Sequence, residues 1–182
     1  MKVIYALVLL SSLIGAQLNA QNTPEAAADA FGKAFATGDY AGAARLMHPA
    51  ALRQFRDLFS LVLTNENMAT ARQKMFGFST SADANAAPDT VLFANMIKGL
   101  VQGQPGFAEA MKAALVMPLG HVQVGDTAMV ITRFSLKARG IPITQFDVMP
   151  FMRDGTVWRG MLKADITNMA AAMKGFVSPV GG

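Results

Sequence analysis

Residues 120–163, GHVQVGDTAMVITRFSLKARGIPITQFDVMPFMRDGTVWRGMLK, decide the fold. β-Branched and aromatic residues recur there with a period near two, and glycine-containing pairs interrupt the pattern. Gly125-Asp126 is a two-residue connection of the glycine-first kind, and Asp154-Gly155 is a strong hairpin signal. The expected layout is two hairpins, 121–124 with 127–136 and 144–153 with 156–163, joined through 137–140. A turn at Asp154-Gly155 sets Phe151 opposite Trp158, Met149 opposite Gly160 and Asp147 opposite Leu162 on one side. Phe146, Val148, Met152, Val157 and Met161 fall on the other. Both sides are largely apolar, so the sheet needs helices over one and a partner, a ligand or further chain over the other. Pro150 has no N–H to give a ladder, which places it at an edge or a bulge.

Upstream the period lengthens to that of helices. Thr23, Pro24 and Glu25 form a start signal, Phe31 and Phe35 stack four apart, and Gly38 ends the run. Asp39 caps a short helix over 40–47. Pro49 begins a longer one in which Leu52, Phe55, Phe59 and Val62 share a face. Residues 77–89, GFSTSADANAAPD, have the composition of a surface loop. Asp89 caps a helix over 91–101, another runs over 107–116, and Asp165 caps a last one from 166 to about 174 bearing Met169 and Met173. The fold class is α+β: N-terminal helices packed on a curved antiparallel sheet of about four strands, with a C-terminal helix.

Residues 1–20 read as a cleavable secretory signal: Lys2, an apolar run over 3–14, a polar stretch and Ala20 before the expected cut. That run is shorter than the roughly 20 apolar residues that span a bilayer, so no transmembrane anchor is expected after cleavage. Residues 21–182 then form one domain in the periplasm or outside the cell. The net charge is +4, with Lys2 contributing one. Its basic residues are scattered without a run that would track a phosphate backbone, which argues against nucleic acid. The charge is compatible with weak attraction to an anionic membrane surface, although a solvated basic face explains it as well.

The absence of cysteine excludes thiol catalysis and cysteine-based zinc sites. The two histidines, His48 and His121, have no ligand motif beside them, so neither a metal nor another cofactor is expected. His48, before Pro49, suits a helix start. No serine stands in a nucleophile-elbow context, and the glycines over 99–106 lack the Lys-Ser/Thr of a phosphate loop. Most acids read as caps or turn residues. Asp147 does not, because it lies mid-strand near Met149, Phe151 and Trp158; burial would raise its pKa and make it a proton carrier, alone or with His121. Pairing with Arg133 or Arg153 accounts for it without catalysis. The 13 methionines suit an ordinary core filled by adaptable side chains first, and a cavity for pliant apolar ligands second.

The stretch 24–46, with Thr37-Gly38-Asp39-Tyr40 and then Ala43, Ala44 and Leu46, resembles the opening of exported members of the nuclear transport factor 2-like superfamily. Gly125-Asp126 and the 154–158 hairpin add to that likeness. The layout is also similar to periplasmic phospholipid carriers of the toluene-tolerance type, with Gly125-Asp126-Thr127 and Thr156-Val157-Trp158 at corresponding places. The resemblance implies a cone-shaped α+β domain with apolar space beneath its sheet. The leading expectation is an exported, non-catalytic domain that binds an apolar small molecule or a protein partner through Met129, Asp147, Met149, Phe151 and Trp158. A periplasmic lipid carrier and a small isomerase or dehydratase using Asp147 are the alternatives. Homodimerisation through the sheet face is a further possibility.

Overall fold

The computed structural model describes residues 21–103, 114–138, 141–164 and 166–168. Helix α1 (Pro24–Ala36) begins where Thr23 accepts a hydrogen bond from the Ala26 N–H at 3.2 Å, with Pro24 presetting φ in the first turn. Asp39 starts α2 (Tyr40–Arg45) by accepting from the Gly42 N–H at 2.7 Å. At the head of α3 (Pro49–Leu58), the ring of His48 accepts from the Ala50 N–H. The long helix expected after Pro49 is divided: Phe59 sits at φ −98°, ψ 7°, and α4 (Ser60–Thr64) follows. Phe55 and Phe59 still pack with ring centroids 4.8 Å apart, and Phe76 and Phe93 close around them.

A 3-10 turn (Glu66–Met68), α5 (Ala69–Phe76), α6 (Ser81–Ala86) and α7 (Asp89–Gln102) complete the helical part. Segment 77–89 is therefore not all loop, because Thr80 caps α6 by accepting from the Asp83 N–H. Nor does Asp89 cap α7. It is the first helical residue, and its carboxylate accepts from Arg56 Nε at 2.5 Å, which ties α3 to the start of α7. Arg72 is wholly buried and donates to the carbonyls of Asn65 and Ser79 and to the Glu66 carboxylate, linking the 3-10 turn to the chain before α6.

Four antiparallel strands follow in the order β1 (Leu115–Val124), β2 (Thr127–Ala138), β3 (Ile141–Asp154), β4 (Val157–Gly160). The class is α+β. β1 begins at Leu115 and Ala114 is not helical, so the helix expected over 107–116 does not reach its last three positions; residues 107–113 lie outside the described residues. The first turn is Gly125-Asp126, with Val124 opposite Thr127. The second turn differs from expectation: it is Gly155-Thr156, with Asp154 opposite Val157, Arg153 opposite Trp158 and Phe151 opposite Gly160. Both turns place glycine first, at φ 59° and 63°, where a side chain would be strained, and this draws Asp154 into the strand. The slip is two residues, so the paired side chains keep their faces; Met161, expected on the face opposite Met149, lies beyond the ladder and packs against the helical core. β2 and β3 pair as far as Ala138 opposite Ile141, which shortens the expected 137–140 connection to 139–140.

Pro150 stands where the β3–β4 ladder ends, and its carbonyl accepts from the Met161 N–H. Among the described residues, β3 before Phe151 is therefore an edge on that side. The outer side of β4 is clasped by earlier chain: Gly160 N–H donates to Leu46 O, His48 N–H to Gly160 O and Trp158 N–H to Gln21 O. Ala164 and residues 166–168 are helical; Asp165, Met169 and Met173 lie outside the described residues.

Small residues set the distance between α1 and the sheet. Ala27 and Ala28 pack with Ala128, Val130, Phe151 and Trp158 in one buried cluster. A β-carbon on Gly32 would come within 2.6 Å of Val116 Cβ. Gly32→Ala should therefore lower stability by about 1–3 kcal/mol through overpacking, although alanine favours helix by roughly 1 kcal/mol. Urea unfolding measures this; Val116→Ala in the same chain should recover only part of the loss, because alanine keeps the β-carbon that makes the closest contact. Arg72→Ala should cost about 3 kcal/mol in the same assay, because it strips buried carbonyls of their donor.

Candidate functional site

α1 turns two aromatic rings toward the junction of the helices and the sheet. Phe31 and Phe35 lie with centroids 5.1 Å apart, and Tyr40 meets Phe35 edge-on at 5.9 Å. They form one wall of a cavity of about 130 Å³, with Phe93 and Ile97 of α7 and Met149 and Pro150 of β3 among the others. Met47, Gly160 and Met161 complete much of its lining, and Lys163 and Ile166 reach it from beyond β4. The cavity lies in a seam between two cores. Met47, Phe93 and Ile97 belong to the helical core, whereas Met149 packs against the sheet cluster. Three larger depressions, two of about 330 Å³ beside Asp39 and Arg45 and beside Lys74 and Lys98, and one of about 250 Å³ beside Ala41 and Val91, are more open to solvent.

Among the described residues, Lys163 is the single ionisable side chain lining the cavity. Its ammonium donates to Asp147 Oδ2 at 2.5 Å. The other carboxylate oxygen of Asp147 accepts from the Val148 N–H at 2.8 Å, and its carbonyl accepts from Thr132 Oγ1 at 3.3 Å. Asp147 thus holds Lys163 at the cavity margin and is itself held by the sheet. Neither Arg133 nor Arg153 is its partner: Arg133 contacts Met117 Sδ, and Arg153 stacks 4.9 Å from the centre of the Trp158 ring.

His121 has a different neighbour. Its Nδ1 donates to Glu25 Oε1 at 2.5 Å, joining the first turn of α1 to β1. Burial alone would raise the Glu25 pKa, but the hydrogen bonds from His121 and from its own backbone, with the charge of the imidazole, outweigh it and leave the carboxyl below its ordinary value. His121 lies opposite Val130, which lies opposite Met149, and Asp147 is two residues farther along β3. Two strand spacings and two residues of rise put the backbones of His121 and Asp147 on the order of 12 Å apart. The structure does not bring these two together.

The remaining residues expected at a site divide three ways. Met149 lines the cavity; Phe151 and Trp158 are buried between the sheet and α1; Met129 lies on the opposite, open face of the sheet. The contributions of Met47, Phe93, Ile97, Met161 and Lys163 were not apparent from the sequence. Only Phe31 and Phe35 signalled their shared face in advance, through their spacing. Among the described residues, no three His, Asp or Glu side chains gather as a metal ion would require. Also among these residues, no helix is long and apolar enough to cross a membrane.

Comparison of the chain with protein-family models, curated proteins and solved structures finds no match in any of the three.

A carboxylate whose pKa is depressed by folding adds stability above its unfolded pKa, and that stability is lost as pH falls through the folded pKa. Glu25→Gln should therefore lower the thermal midpoint at neutral pH, with the gap from the parent closing as the solution is acidified below the ordinary carboxylate range. Calorimetry across that range checks this, and a gap that widens toward acid would contradict the assigned role of the pair.

Proposed function

We propose that this chain is an exported, non-catalytic binding domain that takes the slim apolar part of a small molecule into the seam between α1, α7 and β3. The supporting observation is the cavity itself. Among the described residues its walls are aromatic, aliphatic and thioether groups, with the charge confined to Lys163 at one margin. Ligand sites combine such a lining with a few polar groups that fix orientation. Methionines 47, 149 and 161 supply walls that adjust to shape by rotation.

Size narrows the class of ligand. A volume of about 130 Å³ is close to the roughly 150 Å³ apolar cavity that takes benzene. It is well below the roughly 300–1,000 Å³ that encloses a drug-sized molecule. A single ring or a short branched alkyl group fits; two acyl chains of a phospholipid do not, which weakens the lipid-carrier alternative. The acid–base alternative loses support because Asp147 and His121 each sit in a separate ion pair. Export follows from the character of residues 1–20 and belongs to the same proposal. So does kinship with the nuclear transport factor 2-like superfamily, supported by the order of helices before sheet and by apolar space between them.

The test uses the methionine methyl groups as reporters in carbon-13 NMR, with toluene as the probe. Saturable shifts are expected at Met47, Met149 and Met161, with Met117 and Met129 on the far face of the sheet unmoved. Ile97→Phe, which fills the cavity, should weaken binding at least tenfold. Shifts confined to Met117 and Met129, or none that saturate, would overturn the proposal.

A further inference from the structure

The sheet face turned away from α1 is apolar across three strands. Its rows run Val122, Met129, Pro150; then Gly120, Ile131, Val148; then Met117, Arg133, Phe146. Val122 and Phe146 are each 64% exposed and Val148 is 49% exposed. The residues alternating with them in β2 behave oppositely: Ala128, Val130 and Thr132 are buried against the helices. Along the middle of β2 the exposure thus belongs to one face, whereas the start of β3, with Ile141 and Ile143, is exposed on both; a contiguous apolar patch of this kind marks an interaction surface. One cation stands within these rows. Arg133 is exposed, and its guanidinium contacts Met117 Sδ at 3.3 Å. Among the described residues no carboxylate lies in the three rows. Asp154, farther along the same face of β3, is bonded to Arg159 at 2.7 Å.

We infer that this face docks on an anionic lipid surface. Val122, Met129, Ile131, Phe146 and Val148 enter the boundary between headgroups and acyl chains, and Arg133 meets the anionic headgroups. Charge selects this occupant over a second copy of the chain. Two such faces related by a two-fold axis would bury both Arg133 side chains in an apolar layer that supplies no acid, and an unpaired buried guanidinium is costly. At a membrane the apolar stem is covered while the charged end stays at headgroup level. The inference does not depend on the cavity, which shares only Pro150, at the end of the β3–β4 ladder, with these rows.

The experiment is cosedimentation of the full chain with vesicles of phosphatidylcholine, with and without phosphatidylglycerol. Residues 1–20 are common to every protein compared, so differences between variants report the sheet. Binding should be stronger with phosphatidylglycerol and fall with added salt. Arg133→Glu and Phe146→Asp, both at exposed positions, should each lower partitioning about tenfold. Lys98→Glu makes the same charge change on α7, at an exposed position in the helical part, and should change partitioning less than about twofold. Equal losses from Lys98→Glu and Arg133→Glu, or no loss from either sheet variant, would overturn the inference. So would a solution dimer that Phe146→Asp dissociates, since a second copy would then be the occupant.

Discussion

Where α1 crosses β1, Gly32 leaves no room for a β-carbon above Val116, and Ala27 and Ala28 keep the helix close over Ala128 and Val130. Much of the arrangement follows from that spacing. A helix this near the sheet can place Glu25 within reach of His121. It also presents Phe31 and Phe35 at the height of Met149 without filling the space between α1 and α7. Larger residues along this stripe would lift α1 and pull its ion pair apart. The cavity is thus a by-product of close packing beside it: small residues on one flank of α1 and large rings on the next.

The two cores differ in how they reach density. The helical core interlocks four phenylalanine rings, with centroid separations from 4.8 to 6.2 Å, and offset or edge-on packing of that kind leaves little void. The sheet cluster instead sets alanines against Phe151 and Trp158. Arg56 and Arg72 bind helix ends and connections within the first part, each through more than one acceptor. Between the two parts, the packing of α1 on the sheet and the Glu25–His121 pair are joined by backbone hydrogen bonds from residues 46–48 and 21 to β4, and by a contact from Arg159 to the Arg45 carbonyl. Flexible methionines occupy the seam where rigid rings do not meet.

Strand periodicity, glycine turns and helix caps are local properties, and they were legible: Thr23, Asp39, Gly125 and the alternation along β2 all act through near neighbours. The misplaced features required competition between local signals or contacts from afar. Asp154-Gly155 offered two possible two-residue turns, and preference for glycine at the first position decided between them. Asp89 looked like a cap until Arg56, distant in sequence, took its carboxylate. Thr80 started a helix within a segment whose small polar composition suggested loop. Of the candidate site, Phe31 and Phe35 could be paired by spacing, whereas Lys163 and Ile97 converge only through tertiary packing. Asp147 stood out for lack of a local role, but its partner was a lysine beyond β4, outside the arginines considered for it.

The clasp on β4 has a consequence for assembly. β1 to β4 form a meander whose ladders pair residues close in sequence, so those contacts close short loops. The clasp instead joins Leu46 to Gly160 and Arg45 to Arg159 across more than half the chain. Closing so long a loop costs entropy before its contacts repay it. The seam exists only once that docking is complete, because the two sides of the cavity come from opposite ends of the described chain. Occupancy and docking are therefore linked quantities: a molecule that enters the closed form and not the undocked one draws the two parts together by mass action.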